Sequence, residues 1–110
     1  MKEFEREIII EFLKQTSFDI SSFHQNNYEE EIEFSTSSYR LKLKNIGTDL
    51  KHYFSDKSSF GNKEIFGKLD GIDVGFSIII QANDLTLECY SNHVEITEKN
   101  RNSDFERIKT

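Results

Sequence analysis

The stretch Tyr28–Lys44, YEEEIEFSTSSYRLKLK, decides the fold. Ile32 and Phe34 alternate with Glu29, Glu31 and Glu33, and Tyr39, Leu41 and Leu43 then alternate with Arg40, Lys42 and Lys44. Such period-two alternation is the signature of strands with one buried face. Folding the stretch about Thr36–Ser37 pairs Phe34 with Tyr39 and Ile32 with Leu41. The same register sets Glu33, Glu31 and Glu29 opposite Arg40, Lys42 and Lys44. Apolar residues then share one face and opposite charges meet on the other, each pair contributing roughly 0.2–1 kcal/mol. The acidic and basic runs read most simply as one self-neutralising ladder rather than as a binding site. A two-residue or a four-residue loop keeps this pairing.

C-terminal to the hairpin, Thr48 can cap a short helix whose Leu50, Tyr53 and Phe54 face inward, followed by a Ser, Lys and Gly-rich loop from Ser55 to Asn62. In EIFGKLDGIDVGFSIII, Asp70-Gly71 is a type I′ hairpin signal. Beyond it Ile72, Val74, Phe76, Ile78 and Ile80 make one face, and Asp73, Gly75, Ser77 and Ile79 the other. Asn83-Asp84 suggests a second turn, and LTLECY then points Leu85, Leu87 and Cys89 inward and Thr86, Glu88 and Tyr90 outward. His93 to Ile96 extends or follows that strand. Ser103 and Glu106 have the spacing of a capping box, which predicts a short terminal helix with Phe105 and Ile108 on its apolar side.

N-terminal to the hairpin, Phe4, Ile8, Ile9, Phe12 and Leu13 form an apolar stripe with Glu3, Glu7, Glu11 and Lys14 opposite, an amphipathic helix over about Lys2 to Gln15. Thr16 to Asn27 reads as a loop whose Phe18, Ile20 and Phe23 tuck back onto the core. The chain thus reads as a single α+β domain over residues 1–110. Its expected core is an antiparallel β-sheet meander of about five strands, covered on one face by the N-terminal helix, with one or two short additional helices.

Bulk properties narrow the function classes. Ten Phe and four Tyr offset an apolar content of only 35%, so the core should be small and aromatic-rich. No apolar run approaches the roughly 18 residues a membrane-spanning helix requires. The acidic N-terminus lacks the features of a signal peptide, and the single cysteine allows no internal disulfide, which points to the cytoplasm. Net charge is −6, unevenly spread. Residues 1–35 hold nine acidic and three basic groups, and residues 36–69 hold three and seven. From Asp70 to Glu98 there are six acidic groups and neither Lys nor Arg. That distribution argues against direct binding of nucleic acid, which needs clustered cations, and suits a basic partner.

Catalytic and metal motifs are absent. The five glycines make no phosphate-binding loop, there is no nucleophile elbow, and His24, His52 and His93 stand in separate segments without further ligands at metal spacing. Cys89 belongs to the apolar side of its strand, without a cationic neighbour to stabilise a thiolate. Asp70, Asp73 and Asp84 could pair as hydrolase carboxylates, but turn chemistry accounts for two of them. Neither an enzyme nor a cofactor nor a metal is expected. A partner-binding face is expected instead: Asp73, Ser77, Ile79, Thr86, Glu88 and Tyr90 on the outer side of the meander, with Asp70, Asp84 and Glu95 around its rim. Exposed apolar anchors within a charged rim are how many protein interfaces are built. The competing reading is an ordinary solvated face, or one neutralised by Lys99, Arg101 and Arg107 of the C-terminal helix.

The segment Gly75–Ser91, GFSIIIQANDLTLECYS, resembles the closing hairpin of small bacterial immunity proteins from contact-dependent growth-inhibition systems. The shared elements are a glycine–aromatic step, a β-rich run, a short polar turn and Leu-x-Leu-Glu-x-Tyr. The resemblance implies a cytoplasmic inhibitor, monomeric or weakly dimeric, that covers the active site of a cognate toxin, a basic nuclease domain, with an acidic surface. Two other classes stand beside it. One is a small-molecule binder or enzyme using the space between helix and sheet, with His52, Tyr53 and Asp73 as polar lining; the other is a self-associating structural subunit using Ile79 and Tyr90.

Overall fold

The computed structural model of the protein describes residues 1–15, 20–25, 28–44, 46, 65–81 and 83–108. The expected helix from Thr48, the loop 55–62, Phe18, His52, Tyr53 and the side chain of His24 lie outside the described residues.

Helix α1 (Glu3–Leu13) forms where the apolar stripe requires it and buries Ile8, Ile9, Phe12 and Leu13. A short helix, α2 (Ile20–Gln25), occupies part of the segment expected to be loop, and its Phe23 is fully buried. Strands β1 (Glu29–Phe34) and β2 (Ser38–Lys44) pair in the register that alternation dictates, Phe34 with Tyr39 through Glu29 with Lys44. Strands β3 (Ile65–Leu69), β4 (Ile72–Gln81) and β5 (Asp84–Ser91) form the meander. Asp70 and Gly71 both take positive φ, 53° and 78°, as a type I′ turn demands of its two central residues. Gln81 pairs with Asp84, so the next turn falls one residue earlier than expected and Asp84 opens β5.

Six strands form one antiparallel sheet in the order β1-β2-β5-β4-β3-β6, where the sequence suggested about five in a meander. The β1–β2 hairpin docks on β5, with Leu41 beside Leu87 and Arg40 beside Glu88. The sixth strand corrects the C-terminal expectation. Helix α3 (Glu98–Arg101) is a single turn, capped by Thr97 and Asn100, and Phe105–Arg107 then runs as β6 along β3 instead of forming a helix. The Ser103 hydroxyl donates to the Lys99 carbonyl rather than capping a new helix. Packing decides the conformation of this segment. The Phe105 ring stacks on Phe4 at 5.2 Å and meets Phe76 edge-on at 5.3 Å between centroids. It fits only because Gly67 beneath it has no side chain; a Cβ there would lie 2.3 Å from the ring.

The inner face of the sheet carries Tyr39, Leu41, Leu43, Leu85, Leu87, Cys89, Val74, Phe76, Ile78 and Ile80 against α1 and α2. Among the described residues two charged side chains are buried with this core, Glu5 and Arg101. Glu5 belongs to the stripe of Ile9 and Leu13 and has no exposure at all. Its carboxylate accepts from the Lys2 backbone N–H at 2.7 Å, from the Tyr39 hydroxyl at 2.7 Å, and from Arg101 Nε and Nη2 at 2.8 and 2.7 Å. The Arg101 guanidinium also lies 5.8 Å from the centre of the Tyr39 ring. Burial works against the charge on Arg101, but the Glu5 carboxylate outweighs it and raises the pKa above the ordinary arginine value.

A buried ion pair that loses one member leaves a desolvated charge, at a cost of about 3–5 kcal/mol. Glu5→Ala should therefore lower unfolding free energy by about that much, and Arg101→Met by less, since it leaves Glu5 with its other donors. The double variant should be more stable than Glu5→Ala alone. Urea unfolding of the four proteins measures the coupling; additive effects would show that the pair is not held as a unit.

Candidate interaction surface

Strand alternation sends a second set of side chains to the sheet face opposite α1. Across the middle of that face run Glu33, Arg40, Glu88 and Ser77, and beside them Glu31, Lys42, Thr86 and Ile79. The sequence leaves Asp70–Glu98 without a local cation, but the sheet supplies cations from neighbouring strands. Arg40 Nε donates to Glu88 at 2.7 Å, and Lys68 Nζ lies 3.2 Å from Asp73. Lys44 is held above its ordinary pKa by its hydrogen bond and charge contact with Glu31, and the Glu29 and Asp84 carboxylates add to this. The same contact lowers the Glu31 pKa. The predicted face is thus a mosaic of both signs rather than an uninterrupted acidic surface.

Two of the C-terminal cations are engaged elsewhere. Arg101 turns inward to Glu5, and Arg107 pairs with Glu11 of α1. Neutralisation comes from β2 and β3 instead.

The nine predicted residues fall into separate places, with Ser77 opposite Glu88 at the middle of the face. Thr86 is buried and Ile79 half-buried, both lining a shallow depression of about 160 Å³ with Arg40 and Lys42, so Ile79 is no exposed anchor. Glu88 is tied to Arg40. Asp84 begins β5 and Tyr90 nearly ends it, about 20 Å apart at the usual rise per strand residue. Asp70 sits in the β3–β4 turn, where it accepts from the Asn100 side chain at 3.0 Å. Glu95 is exposed between β5 and α3. Asp73 and Tyr90 come together around Gly75.

These two residues line a groove of about 460 Å³ with Phe66, Val74, Asn92 and Ile108. The Tyr90 ring lies across Gly75, where an added Cβ would come within 2.7 Å of it. Phe66 and Ile108 are each 45% exposed and stand side by side because the Ile108 N–H donates to the Phe66 carbonyl. Neither was singled out from the sequence as a surface residue. Phe66 is legible as outward from its alternation with Ile65 and Leu69, but Ile108 joins it only because β6 is a strand. Asp73 also faces away from the space between helix and sheet, which removes it from the small-molecule lining proposed with His52 and Tyr53.

Among the described residues no group of three or more His, Cys, Asp or Glu side chains is arranged to hold a metal ion, and no helix is long and apolar enough to cross a membrane. Burial pushes the Cys89 thiol well above its ordinary pKa, reinforced by Glu5 and Glu88, and pushes the Tyr39 hydroxyl up as well. No protein-family model, curated protein or solved structure matches this chain.

The unfolded chain releases the Cys89 and Tyr39 protons at their ordinary values of 9.0 and 10.0, whereas the folded chain holds both to higher pH. The folded state then carries the extra protons, so this stability is present in full below about pH 9 and declines as pH rises beyond it. Urea midpoints should be flat up to about pH 9 and fall above it, with a shallower fall for Cys89→Ala. A midpoint that rises through this range would contradict the assignment. Iodoacetamide should label native Cys89 at least about tenfold more slowly than the urea-unfolded chain, since the reactive thiolate is suppressed.

Proposed function

We propose that this protein is a non-catalytic binding module that docks a protein partner on the outer face of its sheet. The reading extends to an immunity-type inhibitor that covers the active site of a basic toxin domain. The observation that carries it is the exposed Phe66–Ile108 pair beside Tyr90, an apolar and aromatic patch on a sheet face with no described helix over it. Around that patch stand Asp73, Lys68 and Glu106, a charged rim of both signs. An aromatic anchor inside such a rim is the anatomy of a protein interface, where a few desolvated side chains carry most of the affinity.

Charge favours a basic partner through the whole molecule rather than through one patch. At a net −6 the chain accelerates the approach of a cationic protein, and the local ion pairs set orientation. A nuclease domain, whose cleft is built to hold phosphates, has that chemistry. Inhibition of this kind needs neither cofactor nor turnover.

The test is retention of a partner from native cell extract on the immobilised full chain, followed by affinity measurement. A stoichiometric basic protein should be held, and held less tightly as salt rises. Phe66→Asp should weaken it by about 30-fold or more, the scale of a hot-spot residue at 2 kcal/mol. Asp73→Lys should weaken it less and mainly through the association rate. If both variants bind as the parent does, the partner uses another surface. A dimer that Phe66→Asp converts to monomer would instead assign the patch to self-association.

A further inference from the structure

Among the described residues strand β1 ends the sheet, and all six of its residues are exposed. Its backbone pattern follows from one bond at the hairpin turn. The Ser35 N–H donates to the Ser38 carbonyl at 2.8 Å, so these two form a hydrogen-bonded pair. Such pairs alternate along an antiparallel ladder, which assigns Glu33 with Arg40 and Glu31 with Lys42 to the same class. The N–H and C=O groups of Glu30, Ile32 and Phe34 therefore point away from β2, along the free edge. No described strand pairs with them.

The side chains of this edge are sorted by face. Ile32 and Phe34 continue the core face of the sheet but lie beyond the helices, 40% and 37% exposed. Glu29, Glu31 and Glu33 project to the outer face. Glu31 is engaged by Lys44, and Glu30 by the N-terminal ammonium of Met1 at 2.6 Å, whereas Glu29 and Glu33 make no ion pair with a described residue.

We infer that the free edge of β1 is a docking site for an extended, basic segment of another protein, which adds to the sheet as a further strand. Edge addition draws affinity from backbone hydrogen bonds and specificity from alternate side chains. The pattern that fits is Lys or Arg alternating with an apolar residue, cations over Glu29 and Glu33 and apolar groups against Ile32 and Phe34. The same charges reject other occupants. A second copy of β1 paired antiparallel would set carboxylate against carboxylate, and like charges opposite one another are destabilising. Charge of this sort protects exposed edges from indiscriminate pairing while leaving open a partner of opposite charge. This edge and the Phe66 groove lie at opposite ends of the strand order, so the two surfaces can be tested apart.

The experiment titrates an acetylated, amidated peptide of alternating Lys and Val into the isotope-labelled full chain and follows backbone amides by NMR. The expected result is a shift and slowed exchange at Glu30, Ile32 and Phe34, unaffected by Phe66→Asp. Replacing Glu29, Glu31 and Glu33 by Gln should weaken binding at least tenfold. Ile32→Pro should do the same, because it deletes a donor on the free edge and leaves the bonds of Glu31 and Glu33 to β2 in place. The inference is overturned if the Lys–Val peptide leaves β1 unperturbed, or if a Glu–Val peptide or one N-methylated at alternate amides binds as well. Sedimentation that reveals a dimer joined through β1 would also overturn it. Should Ile32→Pro fail to fold, the Gln variant still decides.

Discussion

A carboxylate with no access to water sits where helix, sheet and C-terminal segment meet, and the architecture is organised around satisfying it. Glu5 comes from the first turn of α1, Tyr39 from the start of β2, and Arg101 from the turn after β5. An unsatisfied carboxylate in such a place is costly, so its burial depends on the donors these partners supply together. Arg101 lies 96 residues from Glu5 in sequence, which makes this pair a clasp between the two ends of the described chain. Ion pairing between Arg107 and Glu11 and the stacking of Phe105 on Phe4 extend the same attachment along the helix.

Pinning the C-terminal segment has consequences on the other side of the sheet. Once Phe105 is drawn over Gly67 on the inner face, alternation forces Glu106 and Ile108 outward. Ile108 then stands beside Phe66 and creates the apolar part of the outer groove. The exposed patch is thus a by-product of core packing. Its two glycines have parallel roles, Gly67 admitting Phe105 beneath the sheet and Gly75 admitting Tyr90 above it.

Electrostatics on the outer face follow from strand order. Acidic residues of the 70–98 segment meet basic ones of the 36–69 segment, because β2 lies against β5 and β3 against β4. Arg40 reaches Glu88 and Lys68 reaches Asp73, each across a strand boundary. Exposed pairs of this kind contribute little to stability, typically about 0–1 kcal/mol. Their larger effect is to engage carboxylates at the centre of the sheet, whereas Glu29 and Glu33 at the β1 edge make no ion pair with a described residue.

Local pattern was sufficient wherever neighbours in sequence are neighbours in space. The amphipathic stripe determined α1, alternation and charge determined the β1–β2 register pair by pair, and Asp70-Gly71 determined the type I′ turn through its two positive φ angles. It also assigned Asp73, Thr86, Glu88 and Tyr90 to the outward side of their strands. What only the tertiary structure decided depends on contacts between distant segments. Docking of the hairpin on β5, the sixth strand in place of a terminal helix, the burial of Glu5 and the neutralisation of Glu88 all turn on partners at least 30 residues away in the chain. Local periodicity reports which face of an element seeks burial. It carries no information on which distant charge or ring will be found there, because that choice is made by the packing free energy of the whole core.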